Sequence, residues 1–183
     1  MNSQRFFIAL VPPSEIQASV NEIKGYFEQQ YDSCKAFNSP PHITLQAPFE
    51  WPKERDMDEL TEGLKRFAVG REEVAIALRN FGAFPPNVIY VDVVHVPGLM
   101  SLQKDLAIFM ETRYGVVDRR YRNFCPHITV AFRDLTKTAF HQAWPKFQQK
   151  TLAFDFIAQH LTLLRHDGHR WQIHQNYSLS TSL

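Results

Sequence analysis

The tetrapeptide Pro-His-Ile-Thr occurs twice in this chain of 183 residues, and that repetition constrains the fold more than any other feature. One copy contains His42 and Thr44, and the other contains His127 and Thr129. Residues two positions apart on a β-strand project from the same face, and the residue between them projects from the other. Each copy therefore predicts a strand with its histidine and threonine on one face and its isoleucine in the core.

Other features recur at nearly the same spacing as the two histidines, which are 85 positions apart. They are Val-Pro at 11–12 and 96–97, and two segments that begin with Leu-Arg and end with glycine, at 78–82 and 164–168. Similarity at a fixed period indicates an internal repeat. No low-complexity linker separates the halves, so we predict one two-lobed domain over residues 1–183, with pseudo-repeats at about 5–87 and 88–183.

Each repeat is predicted to contain a strand, a helix, the motif strand, a second helix and further strands. Apolar residues at helical spacing, such as Ile16, Val20 and Ile23, indicate the helices. A pseudo-two-fold axis between the repeats would place the two motif strands side by side in a central groove. The predicted bounds are 6–11 and 88–94 for the first strands, 14–30 and 98–114 for the first helices, 55–68 and 137–149 for the second helices, and 161–165 with 170–177 for a closing hairpin that turns at Asp167-Gly168.

Two histidines that face each other across a groove can move protons on and off oxygen. Histidine titrates near pH 6.5, so one ring of the pair His42 and His127 can be neutral while the other is protonated. In-line displacement at phosphorus needs a base on the attacking side and an acid on the leaving side. Thr44 and Thr129 would donate hydrogen bonds to the phosphate oxygens on which charge builds. Because the halves are so alike, the sequence leaves open which histidine is the acid.

We predict that this reaction uses no metal and no cofactor. The two motifs contain no adjacent carboxylates, on which Mg²⁺ sites rely. A zinc site at His166, His169 and His174 is a weaker interpretation, because these residues straddle a predicted turn and alternate between faces. Cys34 and Cys125 lack metal-site spacing and are too few for a disulfide scaffold, so we expect a reducing, cytoplasmic compartment.

The composition gives no reason to expect a membrane or an obligate protein partner. The net charge is +1, with 44% hydrophobic and 21% charged residues, as in ordinary globular proteins. The apolar run at 6–11 is too short to span a bilayer and lacks a signal-peptide cleavage pattern. Because there is no large positive charge, the chain favours a short nucleic-acid end or a nucleotide over long RNA.

Cations and aromatic residues precede the second motif, in the run Arg-Arg-Tyr-Arg-Asn-Phe at 119–124. Tyr121 and Arg122 are candidates for substrate binding, by stacking on a base and by contact with a phosphate, but a solvated loop is an equal alternative. Arg133 lies six residues after His127, and this even separation favours the same strand face and contact with phosphate. We interpret the three tryptophans as packing residues rather than as platforms for bases: Trp51, Trp144 and Trp171.

Through the segments Pro-His-Ile-Thr-Leu and Pro-His-Ile-Thr-Val, the chain resembles the two-histidine (2H) phosphoesterase superfamily and, within it, the 2′-5′ RNA ligase-like (LigT-like) branch. The resemblance covers nearly the whole chain, from the opening strand and helix to the closing hairpin. It implies an α+β, bilobal, internally duplicated fold, in which two antiparallel sheets flank a central groove and the helices lie outside. It also implies that His42 and His127 are catalytic and that Thr44 and Thr129 bind phosphate.

Members of this superfamily typically hydrolyse cyclic phosphates, such as 2′,3′-cyclic ends of RNA or nucleotides, to 2′-phosphates without a metal. Some reversibly join RNA ends through 2′-5′ linkages, and others act on ADP-ribose cyclic phosphate. The resemblance therefore implies a cyclic phosphodiesterase whose partner is an RNA 3′ end or a cyclic nucleotide; a non-catalytic RNA- or nucleotide-binding module is the alternative. The LigT branch often has arginine five residues after the second histidine, where this chain has Phe132, with Arg133 one position later. The cation that contacts phosphate is therefore left open.

Overall fold

The computed structural model describes residues 3–119 and 123–179. Its main elements alternate along the chain in the order that the repeat predicts. They are β1 (Ser3–Leu10), α1 (Ser14–Tyr31), β2 (Ile43–Pro52), α2 (Met57–Ala68), β3 (Val74–Phe84), β4 (Val88–Val93), α3 (Pro97–Tyr114), β5 (His127–Ala131), α4 (Lys137–Phe147), β6 (Ala153–Ala158), β7 (His160–His166) and β8 (Trp171–Ser178), with a 3₁₀ turn at Lys35–Asn38. Within these residues no helix is both long and apolar enough to cross a membrane.

The strands form two four-stranded antiparallel sheets with matching topology. The first has the order β2-β1-β7-β8, and the second has the order β5-β4-β3-β6. In each sheet the third strand comes from the other half of the sequence, because β3 pairs with β4 and β7 pairs with β1. The first sheet contains β7 and β8 from the second half and the second sheet contains β3 from the first half, so the sheet boundaries do not follow the sequence halves. This architecture confirms the α+β class with two antiparallel sheets.

A β-bulge occurs at the same place in both motif strands. In the first sheet the register skips Leu45, and in the second sheet it skips Val130. These two residues are 85 positions apart, as are the histidines. Next to each bulge a motif threonine faces the neighbouring strand, Thr44 opposite Ala9 and Thr129 opposite Tyr90. A bulge bends its strand and re-aims the side chains beside it, so both halves present their threonine through the same local device.

Alternation along the strands separates a core face from a groove face in each sheet. On β1, Phe6 and Ile8 belong to the main hydrophobic core, which also includes buried residues of all four helices. Phe7 and Ala9 project from the other face and form a separate small cluster with Leu164. Ile43 and Ile128, the central residues of the two motifs, are both fully buried in the main core. The motif threonines project away from that core, as the period of two predicts.

Most predicted boundaries differ from the structure by one to three residues, and side-chain hydrogen bonds explain two of the differences. The second helix begins at Met57, two residues later than predicted, because the Asp56 side chain caps it by accepting a hydrogen bond from the Asp58 amide. The predicted two-residue turn at Asp167-Gly168 was wrong. The connection between β7 and β8 spans residues 167–170, and the Asp167 carboxylate stabilises this longer loop by accepting hydrogen bonds from the amides of His169 and Arg170.

Candidate active site

Each motif holds its histidine ring through a hydrogen bond to the backbone two residues earlier. His42 Nδ1 lies 2.7 Å from the carbonyl oxygen of Pro40, and His127 Nδ1 lies 2.7 Å from that of Cys125. A carbonyl only accepts, so Nδ1 carries the hydrogen, and in the neutral ring Nε2 carries the lone pair. The proline between carbonyl and histidine fixes its own φ and restricts the residue before it. The tetrapeptide therefore sets both the orientation and the tautomer of each ring.

The two motifs meet in one cleft. β2 and β5 are edge strands of different sheets, and they lie against each other. Both motif histidines and both motif threonines line the cleft between them, which has a volume of about 250 Å³. The sequence predicted all four residues for one site, and the structure brings all four together.

The cleft is electropositive. Arg5, Lys24 and Arg133 line it together with three histidines, and within the described residues no aspartate or glutamate does. Such a surface attracts anions. The arrangement fits a phosphate group placed between the two motifs.

Lys24 is a cation of this site that sequence reasoning missed. Its side chain on α1 is only 1% exposed, and its Nζ donates a hydrogen bond of 3.0 Å to the carbonyl oxygen of Ser39. Burial lowers the pKa of Lys24 to about 8. A signal was present in the sequence, since Lys24 shares the buried face of α1 with Val20 and Phe27. A charged residue on an apolar helix face is uncommon and points to a specific role.

His42 has a strongly altered protonation equilibrium. Burial lowers the pKa of His42 to about 4, against the raising effect of its hydrogen bond to Pro40. The positive charges of Lys24 and His127 act in the same direction as burial. His42 is consequently neutral at pH 7, with Nε2 able to accept a proton.

Different aromatic residues support the two histidines. The Phe7 ring centroid lies 4.7 Å from that of His42. The ring centroids of Phe84 and Tyr90 lie 5.1 and 5.0 Å from that of His127. Tyr90 in turn covers Gly82 on the neighbouring strand, where a Cβ atom would overlap the tyrosine ring.

Arg133 reaches the cleft by a different route from the one that the sequence suggested. β5 ends at Ala131, so a continuous strand face does not carry it. Instead, Arg133 adopts a left-handed backbone conformation with φ of 60°. The next residue, Asp134, fixes this turn, because its carboxylate accepts hydrogen bonds from the Ser33 hydroxyl and from the amides of residues 34 and 35. The structure thus places Arg133 at the cleft although it lies one position later than in the LigT pattern.

The segment before the second motif contains the two remaining candidates for substrate binding. Tyr121 and Arg122 lie outside the described residues. Arg119 lines a second chamber of about 390 Å³ that shares Thr44 and His127 with the cleft. Asp118 also lines this chamber and is nearly buried, and its carboxylate accepts a hydrogen bond of 2.9 Å from the Ala47 amide of β2. Asp118 therefore connects the segment before the second motif to the strand of the first.

The three histidines that suggested zinc do not gather into one cluster. His166 lines the cleft between the two motifs, whereas His174 packs against Phe6, which belongs to the core face of the first sheet. Across residues 3–119 and 123–179, no group of three or more His, Cys, Asp or Glu side chains is arranged to hold a metal ion.

Comparison with known proteins agrees with the geometry. The family model described as the 2′-5′ RNA ligase superfamily matches residues 12–170. The chain belongs to this superfamily. The expected membership of the two-histidine phosphoesterases, with a LigT-like relationship, is confirmed. A Bacillus cytotoxicus protein named "Putative phosphoesterase Bcer98_0945" is 26% identical over 175 residues, which is 94% of this chain and 95% of that one. A similarly named protein of Geobacillus sp. (strain WCH70) is 27% identical over 177 residues, with the same coverage.

Solved structures share the whole fold of this superfamily member. The crystal structure of TT0787 from Thermus thermophilus superposes with a TM-score of 0.72 at 20% identity, covering 96% of this chain and 97% of that one. Escherichia coli LigT complexed with 3′-AMP superposes with a TM-score of 0.63 at 17% identity, covering 97% and 98%. At these identities the likeness establishes the fold, and it confirms the LigT-like arrangement of two sheets.

Proposed function

We propose that this member of the 2′-5′ RNA ligase superfamily is a phosphodiesterase that opens 2′,3′-cyclic phosphates of RNA 3′ ends or nucleotides, without a metal ion. One observation carries the proposal: two imidazoles with the same fixed tautomer share a carboxylate-free, cationic cleft with two threonines. Nucleotide complexes of a protein with this fold support nucleotides as the ligand class, since E. coli LigT has been crystallised with 3′-AMP and with ATP.

The proposed reaction is an in-line attack of water on the cyclic phosphorus. His42, neutral because of its lowered pKa, takes a proton from the water as the new P–O bond forms. The bond between phosphorus and O3′ breaks on the opposite side, and His127, which enters the step with both ring nitrogens protonated, gives its Nε2 proton to the departing O3′. The product carries a 2′-phosphate and a 3′-hydroxyl. Exchange of protons with solvent then restores both rings.

The threonines and cations stabilise the charge that builds on the non-bridging oxygens. The Thr44 and Thr129 hydroxyls lie two residues from the reacting rings on the same strand faces, where they can donate hydrogen bonds to these oxygens. Arg133 adds a guanidinium that can bind a phosphate through paired N–H groups. With a 5′-hydroxyl in place of water as the nucleophile, the same step would break the bond between phosphorus and O3′ and form a 2′-5′ phosphodiester. In the reverse reaction O3′ attacks, the 5′-oxygen leaves, and the acid and the base exchange roles.

The test is turnover of 2′,3′-cyclic nucleotides, and of a short RNA ending in a 2′,3′-cyclic phosphate, by protein treated with EDTA. Phosphorus NMR identifies the product. We expect a 2′-phosphate from the wild type, and a loss of at least about 100-fold in rate for His42→Ala and for His127→Ala. His160→Ala is the matched control, because His160 is exposed and lies at the end of β7 that is far from the cleft. The rate of this variant should equal that of the wild type.

Three results would count against the proposal. Near wild-type rates in either active-site variant would remove the acid–base assignment. Binding without product in the wild type would favour a non-catalytic nucleotide-binding module, and activity that EDTA abolishes would favour a metal hydrolase.

A further inference from the structure

Three side chains form a row across the groove face of the first sheet. Arg5 lies on β1, His166 at the end of β7 and Trp171 at the start of β8. Trp171 pairs directly with His166, and the antiparallel register that pairs Phe6 with Arg165 places Arg5 opposite His166. Directly opposed residues of antiparallel strands share a face. We call Arg5, His166 and Trp171 the outer row.

Close contacts hold the outer row together and join it to the active site. The Arg5 guanidinium carbon lies 5.3 Å from the centroid of the Trp171 ring, and the His166 ring centroid lies 4.8 Å from it. The Phe7 centroid lies 4.7 Å from that of Trp171 and 4.7 Å from that of His42. A single ring therefore separates Trp171 from the proposed catalytic base.

Two chambers meet at Trp171. The first is the catalytic cleft, which Arg5 and His166 also line. The second is a side groove of about 380 Å³ whose lining includes Phe37 and Arg170. Among the described residues, no aspartate or glutamate lines either chamber. The side groove thus offers aromatic surface and positive charge directly beside the site of phosphate chemistry.

His166 is held as a hydrogen-bond donor. The Gly168 amide donates to His166 Nδ1 at 3.1 Å. Nδ1 therefore carries the lone pair, and the hydrogen of the neutral ring is on Nε2. His166 and Arg5 together can offer N–H groups to the oxygens of a phosphate, while Trp171 offers an aromatic surface beside them.

From this arrangement we propose that the outer row binds a second nucleotide unit of the substrate. Arg5 and His166 bind its phosphate, and Trp171 contacts its base, because arginine pairs with phosphate and nucleobases stack on aromatic rings. The inference rests on the proposed function and specifies its substrate class. The substrate is an RNA end of at least two nucleotides, in which a phosphodiester links the second nucleoside to the one that carries the cyclic phosphate.

Two members of the outer row lie outside the segment 12–170 that the family model matches, namely Arg5 and Trp171. The first and last strands of the described chain bring them to the active site. No sequence pattern joins these two residues, which are 166 positions apart, and Trp171 was interpreted from the sequence as a packing residue. Its place at the junction of two chambers changes that interpretation.

The test compares kcat/KM for a mononucleoside 2′,3′-cyclic phosphate with kcat/KM for a dinucleotide that ends in the same group. We expect the wild type to prefer the dinucleotide by about tenfold or more, the typical effect of one base stacked on an aromatic ring. Arg5→Gln and Trp171→Leu should each reduce this preference to about threefold or less. Arg165→Gln is the matched control, because it removes the same charge from the next position of β7, whose side chain projects from the opposite face. Its preference should equal that of the wild type.

The outcomes separate this inference from the proposed function. Equal kcat/KM for the two substrates in the wild type, or an intact preference in Arg5→Gln, would overturn the second-nucleotide site and leave the phosphodiesterase standing. Absence of turnover with both substrates would remove both ideas. ADP-ribose cyclic phosphate, in which a pyrophosphate joins adenosine to the ribose that carries the cyclic phosphate, is assayed in parallel. If it were preferred over the dinucleotide with the same dependence on Arg5, the second-nucleotide site would be supported and RNA would be overturned as the substrate class.

Discussion

The two copies of the motif have the same internal geometry and different surroundings. In both, the histidine Nδ1 lies 2.7 Å from the carbonyl oxygen two residues earlier, and a bulge follows the threonine. Around them the chain has diverged. The residue opposite the first threonine is Ala9, and the residue opposite the second is Tyr90. A buried lysine, Lys24, lies near the first histidine, and two aromatic rings pack against the second.

This comparison separates what a motif determines from what its neighbours determine. The tetrapeptide fixes the tautomer and direction of each ring, because both depend on backbone atoms within it or next to it. The proton affinity depends on burial and charge supplied by other elements, such as α1 with Lys24. A duplicated motif can thereby supply two unlike groups, and in-line displacement needs one base and one acid.

The sharpest way to test the difference between the two histidines is to change the leaving group. A nitrophenolate leaving group departs from a phosphodiester without taking up a proton. We expect His127→Ala to lose about 1000-fold on the cyclic phosphate and less than about tenfold on the nitrophenyl ester, since general acid catalysis contributes roughly 10²–10⁴-fold. His42→Ala should lose about 1000-fold on both substrates, because attack by water still needs a base. Steady-state rates on the two substrates give the answer.

The roles would be reversed if His42→Ala, rather than His127→Ala, were rescued by the activated leaving group. Equal losses for both variants on both substrates would show that the surroundings do not distinguish the two rings. The comparison between the motifs would then have no mechanistic consequence.

A second test disturbs only the His127 side. Gly82→Ala places a methyl group where the Tyr90 ring lies, and Tyr90 packs against His127. We expect a loss of about tenfold in kcat/KM and about 1–3 kcal/mol of stability from overpacking, measured by steady-state kinetics and urea unfolding. The His42 pKa, followed by NMR, should not change.

Gly25→Ala is the matched control for this substitution. Gly25 lies inside α1 with nothing within 4 Å of its added methyl group, so this variant should gain roughly 0.5–1 kcal/mol and keep its activity. Unchanged kinetics in Gly82→Ala would mean that Tyr90 does not position His127.

The features predictable from the sequence were those with a local cause. The helices and strands follow from apolar periodicity, and the grouping of His42 with Thr44 follows from the period of two in a strand. The Asp167 loop is an exception, because its cause is also local: the carboxylate binds amides two and three residues later and so favours a loop longer than two residues. The exchange of β3 and β7 between sheets is a matter of long-range pairing, and no short segment encodes it.

The residues that sequence reasoning missed are those brought to the site by long-range contacts. The outer row depends on the register of β1, β7 and β8. Arg133 was noticed, but its approach to the cleft depends on a left-handed turn that Asp134 fixes through a hydrogen bond from Ser33, 101 positions earlier in the sequence. Lys24 could have been found, because it interrupts an apolar helix face, although its distance from His42 in sequence hid the connection between them.

A third test disturbs only the His42 side. The charge of Lys24 disfavours a proton on His42, so Lys24→Met, which keeps the side-chain bulk, should raise the pKa of His42 from about 4 by on the order of one unit. His42 must be neutral to act as base, and activity is therefore lost as the pH falls through its pKa. The acidic limb of the kcat/KM profile should move to higher pH, in step with the NMR titration of the His42 ring. Lys65→Met, on the exposed surface of α2, should leave the limb in place. A limb that stays at its wild-type position in Lys24→Met would mean that the charge of Lys24 does not set the proton affinity of His42.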